Sequence, residues 1–404
     1  MRHLSPIRPK KVHDFTWQSE LQWYYEYFHW GHFFFLVCPI IPLPLVVKFV
    51  DLKLETAILT FCSHIVYGLA ITAGYHRLWA HRSYAASAWL RYLLAFIGAG
   101  QCQWSILWWC RHHRAHHQHT DTDKDPYNAR RGFVFSHIGW LIGHNPSSWG
   151  KVDVSDLEQD PVVLWQQQFY VPLAILSAVV IPVSIAHFGW NDGKGGYFYG
   201  CCIRLFISMH STFLVNSLAH ATWAGTQPFS ESTTARNVPL VALLAGGEGS
   251  HNFHHAFPTD YRNGTKWFEP DWSARLIKLC EKLGIAWDLK MTKPSHITEV
   301  RSRKERKGGL QRGSEGLSAR LTSHLPNMEW GTFAELCASG RRLICINGVV
   351  HDVSHFIYDH PGGSQLIESS VGRDVTELFY DGSHPHSQNA REILVGMQMA
   401  LIRS

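Results

Sequence analysis

A histidine pattern that occurs twice constrains this chain more than any other feature. Both copies have the form HxxHH, with histidines at i, i+3 and i+4: His113, His116 and His117, and then His251, His254 and His255. On an α-helix these offsets place three imidazoles within about 100° of arc on one face. Neutral imidazole suits iron, zinc, copper and nickel. Each copy therefore predicts a helix face that binds a metal ion.

A third histidine pair, His76 and His81, lies upstream in HRLWAH. Residues five apart are about 140° apart on an α-helix, so both can bind one metal cluster only where the helix ends or unwinds. A lone histidine is usually a core or surface residue whose imidazole forms ordinary hydrogen bonds and binds no metal. Two copies of HxxHH together with HxxxxH in one chain favour a shared metal cluster over structural use.

The composition is typical of a membrane protein with large aqueous parts. Hydrophobic residues make up 46% of the 404 residues and charged residues only 17%, which is little charge for a soluble protein. The net charge of +5 fits a cytoplasmic membrane face and a polyanionic ligand, and it does not require nucleic acid as a partner. The nine cysteines form no CxxC pair, so neither a disulfide framework nor a cysteine-zinc site is indicated.

Four apolar stretches near the ~20 residues needed to cross a bilayer are predicted spans: 33–50, 56–75, 169–190 and 197–218. Residues 88–109 are also apolar, but a crossing there would put His113 on the opposite face from His76. One metal cluster cannot be shared across a bilayer, so we expect this stretch to lie in or on the membrane without crossing it. The N-terminus, residues 76–165 and everything after residue 219 then share one side. That side carries most of the Lys and Arg and is predicted to be cytosolic.

The motifs HRLWAH, HRAHH and HNFHH resemble the three histidine boxes of the membrane acyl-CoA desaturases. The similarity extends through ITAGYHRLWAHRSY, DKDPYNARRGFVFSHIGW, FLVNSLAHATWAGTQPF and GEGSHNFHHAFPTDYR, and it covers roughly residues 15–295. The chain is most similar to the stearoyl-CoA-type delta-9 desaturases of fungi. This resemblance implies a mainly α fold, in which a four-span membrane helical domain carries a cytosolic cap with a His-rich diiron site.

By this resemblance, nine histidines hold two irons: His76, His81, His113, His116, His117, His220, His251, His254 and His255. His220 stands in NSLAH just after the last predicted span, and Asn216 in the same motif is implied to reach the second iron through a water molecule. Asn216 and His220 are i, i+4 and share a helix face. Ligand type alone would also allow zinc or copper. Iron is what the resemblance implies, and a C-terminal haem-binding segment supports it.

The resemblance also implies a buried, kinked tunnel for an acyl chain, with Gln103, Trp109 and Thr212 at the kink. Arginine makes charge-assisted, bidentate contacts with phosphate. Three arginines near the second histidine motif are therefore candidates for contacts with the phosphates of coenzyme A: Arg111, Arg130 and Arg131.

Residues 301–323 are basic and then contain Gly and Ser, which predicts a linker between a membrane domain at 1–300 and a second domain at 324–404. The second domain resembles cytochrome b5, which implies a small α+β haem-binding fold. Within it, CINGVVHDV alternates apolar and polar residues like a short strand. DHPGG is the haem motif of that family, and it implies that His360 is one axial ligand.

Two histidines remain candidates for the second haem ligand. The spacing from HPGG fits His384, whereas the flanking sequence HSQNARE fits His386. The fungal desaturase fusions use the longer spacing, so His386 is preferred and His384 is the alternative. Two histidine ligands fill both axial positions of haem b and leave no site for dioxygen, as in an electron carrier.

Together the two resemblances imply an acyl-CoA delta-9 desaturase fused to its own electron donor. It would insert a cis double bond at carbon 9 of stearoyl- or palmitoyl-CoA with dioxygen and two electrons. The electrons would come from NADH through a separate cytochrome b5 reductase, since the chain has no GxGxxG motif. The implied location is the endoplasmic reticulum membrane, with both termini and both domains cytosolic. The nearest alternative is a desaturase of other regiochemistry or a lipid hydroxylase, and a more distant one is a non-enzymatic membrane haem or metal protein.

Overall fold

The structure is a computed structural model that describes residues 17–37, 43–143, 145–266, 269–310, 325–358, 360, 363–380, 386 and 388–403. Its helical segments, some of them π or 3₁₀, are Trp17–Tyr27, Trp30–Val37, Leu43–Phe49, Leu54–Leu69, Ala70–Ala80, Ala88–Ala99, Ile106–His119, Ala129–Arg131, Phe135–Gly139, Trp140–Ile142, Pro146–Ser148, Ser155–Glu158, Pro161–Gln168, Tyr170–Ile175, Leu176–Val180, Ile181–Trp190, Gly193–Gly195, Gly196–Ile203, Arg204–Ser217, Leu218–His220, Pro239–Leu244, His251–Ala256, Trp272–Lys282, Pro294–Leu310, Trp330–Ala338, Ser364–Glu368, Thr376–Tyr380 and Gln388–Val395. The strands are Ala85–Ala86, Ala286–Trp287, Asn327–Glu329, Leu343–Ile346, Val349–Asp352 and Gln398–Arg403.

Among the described residues, three continuous helices are long and apolar enough to cross a membrane: Leu54–Ala80, Tyr170–Trp190 and Gly193–His220. They coincide with the second, third and fourth predicted spans, and they pack against one another. The first predicted span, residues 33–50, includes residues 38–42, which lie outside the described part of the chain between helices Trp30–Val37 and Leu43–Phe49. The count of four spans therefore stays a prediction.

The apolar stretch 88–109 is not one continuous helix. Helix Ala88–Ala99 has 12 residues, or about 18 Å at 1.5 Å per residue, which is too short for a hydrocarbon core of ~30 Å. The chain then turns through Cys102 and Trp104, whose φ angles are 55° and 66°. A new helix begins after Ser105, whose hydroxyl accepts a hydrogen bond from a backbone N–H in the first turn. This interruption fits a stretch that does not cross the bilayer.

A buried arginine fixes this turn against the long helices. Arg204 is fully buried, and its Nη1 donates to the carbonyl oxygen of Gly100 at 2.9 Å and to Oε1 of Gln101 at 3.0 Å. Its guanidinium lies over the ring of Tyr67, 4.2 Å from the centroid. The carbonyl oxygens at a helix C-terminus carry partial negative charge, which offsets part of the cost of burying the cation. The turn that carries Gln103 is thereby held in one position.

The C-terminal region has a four-stranded sheet in the order Asn327–Glu329, Gln398–Arg403, Val349–Asp352, Leu343–Ile346. The first pair is parallel and the other two are antiparallel. Asn347 and Gly348 have positive φ angles of 54° and 73°, as in the two-residue turns that close a hairpin. The prediction that CINGVVHDV forms one strand is therefore wrong: it forms two strands, because Asn-Gly turns the chain back on itself.

Alternate residues of this sheet face two separate cores. Leu343 and Cys345 pack with Phe333 on one face. Ile344 and Ile346 pack on the other face in a cluster that also contains Ile357, Ile367 and Phe379. Since side chains along a strand alternate between faces, this hairpin supports both cores, and the second core adjoins the predicted haem ligands.

Candidate metal and haem sites

All nine predicted histidine ligands lie together, in two groups. The first group has five members, His76, His81, His113, His117 and His254, and the second has four, His116, His220, His251 and His255. Within each group the candidate ligand atoms lie within 4.8 Å of one another. Each HxxHH motif contributes to both groups. The i, i+4 pair of the first motif, His113 and His117, belongs to the five-histidine group, and the corresponding pair of the second motif, His251 and His255, belongs to the four-histidine group. The middle histidine of each motif belongs to the other group. The two groups therefore share the two HxxHH helices, and His76, His81 and His220 come from other segments.

The close contacts within each group join Nε2 to Nε2. In the five-histidine group these distances are 2.8 Å for His81–His113, 2.9 Å for His117–His254 and 3.0 Å for His76–His254. In the four-histidine group they are 3.0 Å for His220–His251, 3.0 Å for His251–His255 and 3.3 Å for His116–His255. Two nitrogens that each lie ~2.1 Å from one ion, at a right angle, are about 3 Å apart. Each group thus has the spacing of ligands around a common metal ion.

A π-helix brings His76 and His81 into one group. The segment Ala70–Ala80 is π-helical, and the N–H of His81 donates to the carbonyl oxygen of His76 at 3.1 Å. This i→i+5 bond is the repeat of a π-helix, which places residues five apart near one another. The angle between the two residues is thereby much smaller than the roughly 140° of an α-helix, at the point where the long helix ends.

The third motif lies on a short helix, His251–Ala256, that follows a tight backbone approach. Gly249 packs so closely on the backbone of Ala242 that a Cβ atom there would overlap it. The side chain of Asn252 then holds the preceding loop, donating to the carbonyl oxygens of Ser230 at 2.7 Å and Ala235 at 2.9 Å. These contacts fix the direction of the helix from which three of the nine histidines project.

Four histidines are oriented through Nδ1, the nitrogen that does not face the group. His76 contacts Glu248 at 2.9 Å and His116 contacts Asp125 at 2.9 Å. His113 contacts the Tyr127 hydroxyl at 3.3 Å, and His220 contacts the Thr234 hydroxyl at 2.8 Å. Such partners fix the tautomer and ring orientation of a metal-binding imidazole. Sequence reasoning missed all four partners. Three of these partners could have been found from the sequence, because they lie inside the matched motifs GEGSHNFHH and DKDPY: Glu248, Asp125 and Tyr127. Thr234 lies outside every matched motif.

Burial favours the neutral form of seven of these imidazoles. Desolvation first, and then neighbouring histidines, lower the pKa well below 6.5 for seven of them: His81, His113, His116, His117, His251, His254 and His255. The neutral form is the one that binds metal. Burial therefore favours the metal-binding form of these seven histidines.

The carboxylates around the two groups differ in their counter-charges. Burial opposes ionisation of Glu248, but His76 and Arg77 outweigh it and lower its pKa to about 2. Asp125 is buried, and no Lys or Arg of the described chain forms an ion pair with it. Desolvation consequently raises the pKa of Asp125. A metal cation held by His116 would supply the positive charge that Asp125 lacks, which fits a cation in the four-histidine group.

One cavity reaches both groups and the predicted substrate residues. Its empty space is about 1240 Å³, including the part open to solvent, and its wall includes His76, His113, His116, His251, Asn216, Gln103, Trp109 and Thr212. Gln103 links the last two residues, because its Nε2 donates to the Thr212 hydroxyl at 2.9 Å and its Oε1 accepts from Trp109 Nε1 at 3.2 Å. The structure thus brings the three predicted kink residues together beside the histidines.

The three predicted phosphate-binding arginines lie outside the wall of this cavity. Arg111 pairs with Glu158 at 3.1 Å on an exposed surface. The Arg131 guanidinium lies over the rings of Trp23 and Phe135, 4.1 and 3.6 Å from their centroids. Arg130 is exposed. Their contact with phosphate stays a prediction.

In the C-terminal domain, His360 and His386 face each other with ring centroids 5.9 Å apart. The Nδ1 atoms lie 3.2 Å from the carbonyl oxygen of Gly363 and 3.3 Å from that of Phe379, respectively. Each Nδ1–H can therefore donate to a carbonyl and leave Nε2 to bind metal. Two imidazoles bound on opposite sides of one iron at ~2.0 Å have centroids roughly 6 Å apart, so this pair fits a bis-histidine haem. The alternative ligand, His384, lies outside the described residues.

Comparison with known proteins agrees with this geometry. The fatty acid desaturase family matches residues 55–286, which is more than half of the 404 residues, and the cytochrome b5-like haem/steroid binding domain matches residues 329–400. A probable acyl-CoA desaturase of Schizosaccharomyces pombe is 40% identical over 409 residues, which cover 100% of this chain and 83% of that protein. Acyl-CoA desaturase 1 of Saccharomyces cerevisiae is 40% identical over 88% of this chain and 69% of its own length. Delta(9)-fatty-acid desaturase fat-6 of Caenorhabditis elegans is 38% identical over 59% of this chain and 72% of its own length. The chain therefore belongs to the fatty acid desaturase family and carries a C-terminal cytochrome b5-like domain.

Proposed function

We propose that the protein is an acyl-CoA delta-9 desaturase that forms a cis double bond at carbon 9 of stearoyl- or palmitoyl-CoA. The observation that carries this proposal is the cavity, since its wall includes histidines of both groups together with Gln103, Trp109 and Thr212. An acyl chain in this space would pass beside both groups. The names of the two fungal relatives support an acyl-CoA substrate, and the name of the nematode relative supports the delta-9 position.

The nine histidines would hold two irons, five on one and four on the other. Bound iron supplies the dioxygen-derived oxidant that removing hydrogen from an unactivated methylene pair requires. The four-histidine group has one ligand fewer, and Asn216 at the cavity wall would complete it through a water molecule. Iron is preferred over zinc because zinc does not change its oxidation state, so a fused electron donor would have no role in a zinc hydrolase.

The overall reaction balances with two external electrons. The acyl chain loses two hydrogen atoms, and dioxygen takes these together with two electrons and two protons to give two molecules of water. The hydrogen bonds from Gln103 to Thr212 and from Trp109 to Gln103 would hold a bend in the cavity, so that carbons 9 and 10 lie beside the histidines. The phosphates of coenzyme A would remain at the surface, where Arg111, Arg130 and Arg131 would contact them.

The C-terminal domain would deliver the electrons. His360 and His386 would be the axial ligands of haem b, and their facing rings support this assignment. NADH–cytochrome b5 reductase would reduce this haem. We assign the boundaries 1–300 to the membrane domain, 301–323 to the linker and 324–404 to the haem domain.

The proposed location is the endoplasmic reticulum membrane, with both domains cytosolic. Three long apolar helices support membrane insertion. Because His76, His81 and the two HxxHH motifs form common groups, they must lie on one side of the bilayer. The excess of Lys and Arg on that side supports a cytosolic orientation.

The test is expression of the full chain in cells that lack their own delta-9 desaturase, followed by mass spectrometry of the fatty acids with assignment of the double-bond position. We expect growth without added unsaturated fatty acid, and 9-monoenes as the product. Rescue with a double bond at another carbon would overturn the regiochemistry and keep the reaction class. A hydroxylated product, or no new product from a protein with normal iron and haem content, would overturn the desaturase proposal.

A further inference from the structure

Thr234 joins a metal-group histidine to a buried carboxylate. Its hydroxyl lies 2.8 Å from Nδ1 of His220 and donates to Oδ1 of Asp121 at 2.6 Å. The Thr234 backbone N–H donates to the other oxygen of the same carboxylate, also at 2.6 Å. Asp121 is only 8% exposed, so these contacts are shielded from water.

The direction of these hydrogen bonds follows from proton count. A hydroxyl has one proton and two lone pairs, and the short contact to a carboxylate assigns the Thr234 proton to Asp121. The oxygen can then only accept from His220, so the imidazole carries its proton on Nδ1. Its Nε2 lone pair is left facing Nε2 of His251, 3.0 Å away. Thr234 therefore selects the tautomer in which His220 can bind metal within the four-histidine group.

The same loop serves a second member of that group. The backbone N–H of Asp121 donates to Oδ2 of Asp125 at 2.9 Å, and Oδ1 of Asp125 contacts Nδ1 of His116 at 2.9 Å. Two carboxylates from one short loop thus reach two different histidines, one directly and one through the Thr234 hydroxyl.

His220 depends on such an anchor more than the other histidines do. It stands alone in the short 3₁₀ turn Leu218–His220 at the end of a long helix, whereas His251 and His255 are supported by one rigid helix and His116 by its own. The 221–238 loop that carries Thr234 is tied back to this turn by the hydrogen bond from Arg236 N–H to the Ala219 carbonyl oxygen, 2.7 Å long.

We propose that Asp121 and Thr234 form a carboxylate–hydroxyl relay that positions His220 and retains the metal ion of the four-histidine group. Both act through His220 and are positioning residues. The proposal rests on the proposed two-metal function. Outer partners of this kind typically change metal affinity by about 10–100-fold, so their loss should weaken one ion and spare the other.

The experiment compares metal retention in Thr234→Val, Thr234→Ser and Asp121→Asn with that of the parent chain. Valine keeps the shape of threonine and removes the hydroxyl, and serine keeps the hydroxyl. Thr233→Val is the matched control, because the neighbouring Thr233 hydroxyl is buried and has no hydrogen-bond partner among the described residues. Each full-length protein is purified, iron is measured per haem before and during exposure to a chelator, and the haem of the C-terminal domain counts the chains.

We expect two irons per haem in the parent, in Thr234→Ser and in Thr233→Val. Thr234→Val should lose one iron about 10–100-fold faster, and Asp121→Asn should also lose one iron faster, while the second iron leaves at the parent rate. Loss of one iron at the parent rate from Thr234→Val would overturn the relay. If Thr234→Val does not accumulate as a haem-containing protein, Asp121→Asn is tested instead, and loss of one iron from it at the parent rate would overturn the relay. A parent that binds no iron would instead overturn the two-metal function itself.

Discussion

Replacing Arg77 by methionine should destabilise the membrane domain by about 3–5 kcal/mol, the usual effect of breaking a buried ion pair from one side. Arg77 is 1% exposed and contacts Glu248 at 3.1 Å and Asp271 at 2.9 Å. Its Nη1 also donates to the carbonyl oxygen of Tyr261 at 2.7 Å. Methionine is unbranched like the apolar stem of arginine, but it is shorter and makes none of these contacts, so two buried carboxylates lose their cation.

A second arginine provides a matched control, because Arg111 contacts Glu158 at the same distance of 3.1 Å. The two pairs differ in burial: the Arg77 and Glu248 side chains are 1% and 7% exposed, and those of Arg111 and Glu158 are 47% and 52% exposed. Solvent screening limits an exposed pair to about 1 kcal/mol or less. If burial decides the energy, then Arg111→Met should be nearly neutral and Arg77→Met should not.

The assay is thermal unfolding in one detergent, followed by tryptophan fluorescence, with haem absorbance as a separate report on the C-terminal domain. At about 2 °C per kcal/mol for a domain of this size, Arg77→Met should melt roughly 6–10 °C below the parent and Arg111→Met within roughly 2 °C of it. Because Glu248 also contacts His76 at 2.9 Å, Arg77→Met should in addition retain iron less well. Equal shifts for the two variants, or a shift under about 2 °C for Arg77→Met, would show that burial does not decide the energy of these ion pairs.

The haem domain, one surface carboxylate and the membrane topology give three further tests. His386→Ala should lose the low-spin bis-histidine spectrum and most desaturation while it keeps two irons, and a variant with a normal haem spectrum would return the assignment to His384. Burial opposes ionisation of Asp156, but Arg114 and Arg82 outweigh burial and lower the pKa of Asp156 to about 2. The ionised carboxylate therefore stabilises the fold above the unfolded pKa of about 3.9, and this stabilisation is lost as the pH falls toward 2. Because that carboxylate is 39% exposed, Asp156→Asn should cost under about 1 kcal/mol at pH 6, and thermal melts should converge with those of the parent between pH 4 and pH 2. Tags inserted after residue 120 and at the C-terminus should both be digested by protease added to sealed microsomes, and a protected tag after residue 120 would contradict the topology.

For a physical reason, the spacing alone predicted pairs of histidines on common helix faces, whereas the full set of nine, which includes His220, came from the resemblance to the desaturases. Offsets of three and four residues on a helix share a face regardless of what surrounds them, so His113, His117, His251 and His255 could be placed as pairs. The offset of five between His76 and His81 was correctly recognised as incompatible with a regular α-helix. Its solution, a π-helical segment, depends on packing against the neighbouring helices, and a local pattern does not contain that information.

The division into groups of five and four was not predictable from spacing, because it depends on how the two HxxHH helices cross. The partners of Nδ1 were also missed, since Thr234 and Asp121 are 113 residues apart and neither residue type is distinctive in a loop. The hairpin in the haem domain was missed for another reason. Its Asn347–Gly348 turn is a strong local signal, and alternation of apolar residues on both sides of the turn concealed it.

We propose that nine histidines hold two irons, five on one and four on the other. Diffraction from crystals of the full-length protein on either side of the iron absorption edge tests it directly. We expect two anomalous peaks in the membrane domain: one bounded by His76, His81, His113, His117 and His254, and one bounded by His116, His220, His251 and His255. A single peak, two peaks that share one group, or a signal at the zinc edge alone would contradict it.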